Sequence, residues 1–308
     1  MKTIFFSISM HSIWCLAVLF WAACSQQSPS LDRVGQIWKL YHDNPEVVLV
    51  VAHRGAHTDV PENSLAGIDK AVELDAHIVE LDVQQTKDGV FVVMHDRTLD
   101  RTSTGKGEIA DHTYAELQAF RLLHKGKRTD HRIPTLEEAV RRAKGRILLD
   151  IDFKVHGMQA RFDVFDELSR LNAEDLLLFY CYDYTELPVL HAYNPRIKIM
   201  PRAYDLAQFR EIVESGLTDI VHVDGSFYSP EAVAKTGAVR PGRVGANVLG
   251  RSDQQAARQG GVAYRAFFDS MAPVNIVQTD QPQLLINYLA QETGIASVTS
   301  ADYKTYNE

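Results

Sequence analysis

Runs of apolar, mostly β-branched residues recur along the chain and are separated by amphipathic stretches. Val47–Ala52 is one such run, and its composition and the turn signal after it are typical of a fully buried strand. With one hairpin set aside, strand-like runs begin at residues 47, 77, 147, 176, 197, 219, 244 and 275. Helical patterns lie between most of them, at residues 65–72, 135–144, 159–171, 206–215, 230–236 and 254–259. This alternation predicts an α/β protein with the (β/α)8 TIM barrel fold.

Glycine, proline and charged residues are spread evenly from residue 47 to residue 290, without a linker-like stretch. One barrel domain over residues 46–292 is therefore the simplest account of this part of the chain. Two further helices are predicted, one at residues 31–41 ahead of the barrel and one at residues 114–122 in a polar elaboration after the hairpin. Residues 293–308 are predicted to form a tail.

Met1–Ala23 has the pattern of a signal peptide and is not expected to belong to the fold. Lys2 is its only charged residue, and an apolar stretch leads to Ala22-Ala23-Cys24. Small residues before a cysteine resemble a bacterial lipoprotein processing site, at which Cys24 is lipidated and residues 24–45 begin with a tether. The alternative is ordinary secretion, with Cys24 incidental. The lipoprotein interpretation predicts a periplasmic protein held to a membrane by its anchor.

Charge and cysteine content narrow the function classes further. The net charge is −8, and loss of Lys2 with the signal peptide makes it one unit more negative. So acidic a chain has no overall field to attract phosphates, and nucleic acid is not expected as a partner. No obligate protein partner is evident. With Cys24 lipidated, Cys181 is the only thiol left, so an intramolecular disulfide is not expected.

Four side chains with acid–base or metal-binding chemistry are expected to converge near the first two strands. Lys87-Asp88-Gly89 is a hairpin signal, and a two-residue turn at Asp88-Gly89 would place Asp82 opposite His95. Glu80 lies two residues before Asp82 and so points to the same face of the strand. His53 ends the first strand at the same end of the sheet. Two carboxylates with imidazoles nearby suit a divalent cation combined with acid–base chemistry.

The order and spacing of several short motifs resemble those of glycerophosphodiester phosphodiesterases. The most specific block comprises His53-Arg54-Gly55, Pro61-Glu62-Asn63-Ser64, Glu80-x-Asp82-Val83, Thr86-Lys87-Asp88-Gly89 and His95-Asp96. Weaker blocks follow at Leu99-Asp100-Arg101-Thr102, Ile133-Pro134-Thr135-Leu136, Asp150-Ile151-Asp152-Phe153-Lys154 and Val277-Gln278-Thr279-Asp280. The resemblance extends over about residues 48–290 and implies the same barrel fold.

The resemblance also implies roles for individual residues. His53 and His95 are expected to exchange the roles of general base and general acid, while Glu80, Asp82 and Asp152 bind one divalent cation, Ca²⁺ or Mg²⁺. The family usually has glutamate where this chain has Asp152. Arg54 and Lys154 are expected to stabilise charge on the phosphate. In the family, a substrate hydroxyl can attack the phosphorus first, and water then opens the cyclic phosphate.

Other interpretations of these residues remain open at this point. The charges of Glu80 and Asp82 can be neutralised by a bound metal or, alternatively, by a salt bridge to Arg54 or Lys154. Arg54 has structural pairing with Glu62 as its alternative, and both can hold. The remaining predictions concern residues around the site. Glu62 and Asp150 are expected to support the proposed ligands without binding the cation, and Asp150 has pairing within the core as its alternative. Tyr182 contacts the substrate or packs in the core, and histidines such as His57, His112, His124 and His191 lie at the surface.

Three functions follow from this reading. The first is metal-dependent hydrolysis of glycerophosphodiesters to glycerol 3-phosphate and an alcohol. The second keeps the chemistry but takes a lysophospholipid, another lipid or a cell-wall glycerophosphate. It is motivated by the anchor and by Gly245-Ala246-Asn247-Val248, which stands near a family block containing tryptophan. The third is a barrel that binds phosphorylated glycans without turning them over.

Overall fold

Eight parallel strands form a barrel inside a layer of helices. The structure is a computed structural model that describes residues 31–236 and 242–292. The barrel strands are β1 (Leu49–Ala52), β2 (Ile78–Gln85), β3 (Leu148–Phe153), β4 (Leu177–Cys181), β5 (Lys198–Pro201), β6 (Ile220–His222), β7 (Arg243–Asn247) and β8 (Ile276–Thr279). The predicted fold is confirmed, and each strand begins within two residues of its predicted start. The predicted signal peptide, Cys24 and the tail lie outside the described residues.

The strands follow one another around the barrel in chain order. Each strand except β5 pairs in parallel with its successor, and β1 pairs with β8. The ring closes between β5 and β6, where Arg202 and His222 form a single parallel bridge. There the backbone N–H of Ala203 donates to the carbonyl of His222 at 2.9 Å. All eight strands therefore end at one rim of the barrel, the position of the chemistry in proteins of this architecture.

The helices confirm most of the amphipathic pattern. They are α1 (Arg33–Asp43), α2 (Leu65–Glu73), α3 (Tyr114–Leu117), α4 (Leu136–Ala143), α5 (Met158–Arg170), α6 (Leu187–Tyr193), α7 (Leu206–Ser215), α8 (Pro230–Thr236), α9 (Arg251–Gln259), α10 (Arg265–Ser270) and α11 (Pro282–Glu292). Ser64 caps α2, and its hydroxyl accepts from the N–H of Gly67. Among the described residues, no helix has the length and apolarity needed to cross a membrane.

The helix predicted at residues 114–122 is wrong in length, because α3 stops at Leu117. Leu122 instead forms an antiparallel bridge with Ser103, and the Arg121 guanidinium donates to the carbonyls of Gln118 and Phe120. The chain must leave the helix early to make this bridge. The elaboration therefore folds as a small unit, with its own cluster of buried side chains around Met94, Leu99, Ile109 and Leu117.

The N-terminal helix closes the amino end of the barrel, opposite the rim. Arg243, the first residue of β7, is fully buried there. Its guanidinium donates to the carbonyls of Leu40, Tyr41, Asn44 and Val47. Among them is the Tyr41 carbonyl in the last turn of α1, whose partner four residues on would be Pro45, which has no N–H to donate. Burial lowers the pKa of Arg243 to about 10, so the side chain stays charged at neutral pH and ties α1 to the barrel.

The hairpin after β2 has a different register from the predicted one. Val83 pairs with Val93 and Gln85 with Phe91, so Asp82 lies opposite Met94 and the prediction of His95 there is wrong. The turn contains three residues, since the N–H of Thr86 bonds to the carbonyl of Val90. Gly89 takes a φ of +83° in it, as three-residue hairpin loops commonly require. The extra turn residue shifts the register by one.

Candidate active site

A cavity of about 160 Å³ opens at the carboxyl ends of the strands. It is lined by side chains from both halves of the barrel. They are His53, Arg54, Glu80, Asp82, His95, Asp150, Asp152, Lys154, Tyr180, Tyr182, Arg202, Asn247, Leu249 and Gln278. All the residues predicted to catalyse, bind phosphate or bind metal are therefore brought together. His95 reaches the cavity from beyond the hairpin ladder, and its carbonyl accepts from the Gln84 amide at 3.0 Å.

Two neighbouring strands place four carboxylates in two rows. The parallel register of β2 and β3 sets Glu80 beside Asp150 and Asp82 beside Asp152. Side chains two apart on a strand share a face, so the predicted clustering of these acids is confirmed. Glu80, Asp82 and Asp150 are buried, and Asp152 is partly buried. Burial and repulsion from Asp82 and Asp152 raise the pKa of Glu80 well above its usual value.

Two cations face these four acids. Lys154 Nζ lies 2.6 Å from Asp152 Oδ2 and 3.0 Å from Asp82 Oδ1. Burial alone would lower the pKa of Lys154, but the charges of Asp152 and Asp82 raise it. Arg54 Nε lies 3.4 Å from Asp82 Oδ2. The predicted salt bridges from Arg54 and Lys154 to the carboxylate cluster are therefore present.

The side chains present fit a hard divalent cation. Glu80, Asp82 and Asp152 each offer a carboxylate oxygen, and these three atoms lie within 4.8 Å of one another. Asp152 Oδ1 is buried without a hydrogen-bond partner among the described residues, which is costly unless a ligand satisfies it. An all-oxygen set of this kind suits Ca²⁺ or Mg²⁺. Asp150 stands beside Glu80 on the neighbouring strand and lines the same cavity, and burial followed by repulsion from Asp152 raises its pKa.

His53 is oriented by a carboxylate from the last strand–helix connection. Its Nδ1 lies 2.7 Å from Oδ1 of Asp280. Burial would raise the pKa of Asp280, but hydrogen bonds and charge from His53 and His57 outweigh it and lower the pKa. An ionised carboxylate only accepts, so Nδ1 of His53 carries the proton. Nε2 is left as the basic nitrogen, 3.9 Å from Glu80 Oε2.

His95 has an equivalent partner in its neighbour. Its Nδ1 lies 2.7 Å from Oδ1 of Asp96. The Arg101 guanidinium bonds to both oxygens of Asp96 and, together with His95, lowers the pKa of that carboxyl. Asp96 is therefore ionised and accepts the Nδ1 proton, which leaves Nε2 free to exchange a proton. Each of the two histidines thus presents one ring nitrogen with its orientation fixed by a carboxylate.

Glu62 links Arg54, beside the carboxylate cluster, to Arg101, which holds Asp96. It accepts from Arg54 at 3.0 Å and from two nitrogens of Arg101 at 2.8 Å each. The predicted pairing of Arg54 with Glu62 is therefore present. Arg54 has a φ of +52°, unusual for a residue with a side chain, and its backbone N–H donates to Glu80 Oε2 at 2.7 Å. One residue thus contacts a proposed metal ligand through its backbone and Glu62 through its side chain.

Tyr182 stands at the mouth of the cavity with 38% of its surface exposed, so it does not pack in the core. Its hydroxyl donates to Asp152 at 2.7 Å and accepts from Lys154 at 3.1 Å. The prediction that His57 is a surface residue without a role is wrong. His57 is half-buried, and its Nε2 lies 3.1 Å from the Asp280 oxygen that His53 also contacts.

Sequence reasoning missed several contributors. Asn63 is buried and makes two hydrogen bonds to Asp82. Its side-chain amide donates to Asp82 Oδ2 at 2.8 Å, and its side-chain oxygen accepts from the backbone N–H of Asp82 at 3.1 Å. Asp280 and Asp96 belong to the motifs that carry the family resemblance, but no role was predicted for either. Arg202, which bonds to Asp224 at 2.7 Å, carries no local signal that it lines the cavity.

Comparison with known proteins gives one family. The sequence profile described as the glycerophosphoryl diester phosphodiesterase family matches residues 53–203. The glycerophosphodiester phosphodiesterase of Caldanaerobacter subterraneus is 44% identical over 110 residues, 35% of this chain and 43% of that protein. Mouse glycerophosphodiester phosphodiesterase 1 is 31% identical over 198 residues, 63% of this chain and 53% of that protein. These matches span about half the length of the two relatives.

Solved structures extend the likeness over the barrel. A glycerophosphoryl diester phosphodiesterase from Parabacteroides distasonis has a TM-score of 0.73 at 26% identity, over 89% of this chain and 96% of that one. A phosphodiesterase from Oleispira antarctica, solved with the product sn-glycerol-3-phosphate, has a TM-score of 0.64 at 23% identity, over 80% of this chain and 98% of that one.

Proposed function

We propose that the chain belongs to the glycerophosphoryl diester phosphodiesterase family, as its similarities to members of that family support, and that it hydrolyses glycerophosphodiesters to glycerol 3-phosphate and an alcohol. One observation carries the proposal. Two histidines, each oriented through Nδ1 by an ionised aspartate, line the same small cavity as a cluster of carboxylates and two cations. Paired proton donors and acceptors around an anion site are what cleavage of a phosphodiester needs.

Glu80, Asp82 and Asp152 would hold the divalent cation. When bound, that ion neutralises charge on the phosphate and lowers the pKa of a nearby hydroxyl. Lys154, which contacts Asp82 and Asp152, and Arg54, which contacts Asp82, would bind the non-bridging phosphate oxygens. Tyr182 holds Lys154 and Asp152 at the mouth.

The two histidines move the protons. One accepts, at Nε2, the proton of the attacking hydroxyl, and the other donates a proton from Nε2 to the leaving alcohol oxygen. If the glycerol hydroxyl next to the phosphate attacks first, the roles then reverse as water opens the cyclic product. Asp280 and Asp96 stabilise the imidazolium form of each histidine at the stage when it carries two protons.

The experiment is a substrate panel on chelated protein reconstituted with Ca²⁺, Mg²⁺ or Mn²⁺. Glycerophosphocholine, glycerophosphoethanolamine, a lysophospholipid and a phosphomonoester are compared, and glycerol 3-phosphate is detected with a coupled dehydrogenase. We expect turnover of the glycerophosphodiesters and none of the monoester. Preference for the lysophospholipid would establish the lipid alternative. Inactivity on every diester with every metal would favour a barrel that only binds its ligand.

We also propose that Cys24 carries a lipid that anchors the protein to a membrane facing the periplasm. The support is the sequence pattern Ala22-Ala23-Cys24 after an apolar leader. The Cys24→Ala variant should leave the membrane fraction and appear in the soluble one, whereas a variant that stays membrane-bound contradicts the anchor. The Cys181→Ala variant is the matched control, since that cysteine is buried in the barrel.

A further inference from the structure

His57 gives the chain a second cluster of metal-binding atoms, distinct from that of Glu80, Asp82 and Asp152. Oδ1 of Asp280 lies 2.7 Å from His53 Nδ1 and 3.1 Å from His57 Nε2. One ligand atom from each of the three residues lies within 4.8 Å of the ligand atoms of the other two. The exposed fractions of the three side chains are 15% for His53, 26% for His57 and 33% for Asp280, so the cluster is open to solvent on one side.

The ligand chemistry of this cluster differs from that of the carboxylate site. Two imidazole nitrogens and one carboxylate oxygen are typical of borderline cations such as Zn²⁺, and three protein ligands with an open position match a site completed by water. The cluster is also supported from behind. The backbone N–H of Asp280 donates to Asp253 at 2.6 Å, and that of His53 donates to the Thr279 carbonyl at 3.1 Å.

We propose that His53, His57 and Asp280 form a binding site for one Zn²⁺ ion. The neutral ring of His53 carries a single proton, which the contact with Asp280 holds on Nδ1. Coordination through Nδ1 moves that proton to Nε2, the nitrogen that would otherwise accept it from a hydroxyl. Zinc therefore changes the tautomer of His53, and His53 can no longer act as a base. This inhibition rests on the proposed phosphodiesterase function, whereas zinc binding does not.

Binding is tested by calorimetric titration of chelated protein with Zn²⁺, in the presence of saturating Ca²⁺ or Mg²⁺ to occupy the carboxylates. We expect one zinc site in the wild type. The His57→Gln variant should lose at least the roughly 10–100-fold in affinity that removal of an outer partner of a metal ligand already costs. His112→Gln is the matched control, because that half-buried histidine bonds through its ring to the Lys106 carbonyl and not to the proposed zinc ligands, and it should bind zinc as the wild type does.

The Asp82→Asn variant separates the two metal sites. It should leave zinc affinity unchanged while weakening Ca²⁺ or Mg²⁺. Equal zinc affinity in His57→Gln and the wild type would overturn the proposal, as would loss of zinc binding in Asp82→Asn alone.

Nitrogen NMR of the histidine rings in the wild type gives a second test that does not depend on a variant folding. Zinc should shift His53 from the Nδ1–H to the Nε2–H tautomer, and an unchanged tautomer with zinc bound would contradict the site. In assays, zinc should inhibit the wild type and spare His57→Gln, each relative to its own zinc-free rate. A protein without diesterase activity would refute the proposed function, while calorimetry and NMR would still decide the zinc site.

Discussion

Gly55 and Gly67 pack backbone against backbone beneath the site. A Cβ on Gly55 would lie 2.9 Å from the Cα of Gly67, and the N–H of Ala56 donates to the Gly67 carbonyl at 3.1 Å. Gly55 also takes a φ of +82°, which residues with a side chain rarely adopt. The turn that carries His53 and Arg54 is therefore seated directly on α2.

Gly55→Ala should consequently lower the free energy of unfolding through two effects, the strain of a side chain at a positive φ and the clash with Gly67. Gly126→Ala is the matched control, because Gly126 has a φ of +74° with no atom within 4 Å of a Cβ. We expect Gly55→Ala to lower the free energy of unfolding by about 1–3 kcal/mol more than the control does. Urea denaturation measures both. Equal losses in the two variants would show that the close approach to Gly67 is without energetic consequence.

His95→Ala removes a proton carrier but no proposed metal ligand. Its kcat should fall by about 10²–10⁴-fold while metal affinity changes little. His53→Ala should behave alike, and the double mutant should be little worse than either single one if the pair acts as a unit. Metal-titrated rate curves make the comparison, with His112→Ala as a control outside the cavity. Rescue of His95→Ala by excess metal would mean that His95 is a ligand.

Chelation should abolish activity and leave the barrel folded, because none of the proposed metal ligands belongs to the buried apolar core. Turnover and circular dichroism in EDTA are measured on the same sample. Loss of the folded signal at ambient temperature would show that the metal is structural.

Asp82→Ala removes one ligand and leaves Glu80 and Asp152, so the variant should bind metal more weakly and regain part of its activity at high metal concentration. Activity is measured across a metal titration in the variant and the wild type. A variant whose activity is low and independent of added metal would contradict ligation by Asp82.

His222 should make stability depend on pH. It is buried, and burial outweighs the bond to Asn247 to lower its pKa to about 4. The unfolded chain, with a pKa of about 6.5, binds the proton first as the pH falls. The contribution of His222 to the free energy of unfolding is therefore complete above about pH 6.5 and is lost as the pH falls towards 4. Between pH 7 and pH 5 the loss is about 2 kcal/mol.

Urea denaturation at the two pH values measures this loss as the difference between wild type and His222→Gln. The glutamine variant keeps an amide near Asn247 but does not titrate, so its stability should vary less with pH. Parallel pH profiles in the two proteins would show that His222 is not the group responsible.

The sequence predicted the barrel because its strands are buried on both sides and read as continuous apolar runs. Helices α6, α10 and α11 were not predicted. Helix α6 has seven residues with Pro188 in its first turn, and α10 has six residues, so both carry little periodic signal. In α11 the apolar residues from Leu284 to Leu289 are nearly continuous, which hides a helical period.

In the candidate site, too, some features follow from local sequence rules and others do not. Glu80 with Asp82, and Asp150 with Asp152, followed from the alternation of side chains along a strand, which is a local rule. The partner of His53 lies 227 residues away at Asp280, and no local pattern joins them. The hairpin register depended on the length of one turn, and a single additional residue in that turn displaced it.

The contacts of Arg243 also bear on the order of events during synthesis. It lies about 200 residues from the carbonyls it holds at the end of α1, and β1 likewise gains its second neighbour only when β8 exists. Contacts between such distant parts of a chain form slowly. The first helix therefore leaves the ribosome long before its partner is made, and the amino end of the barrel stays open until most of the chain has been released.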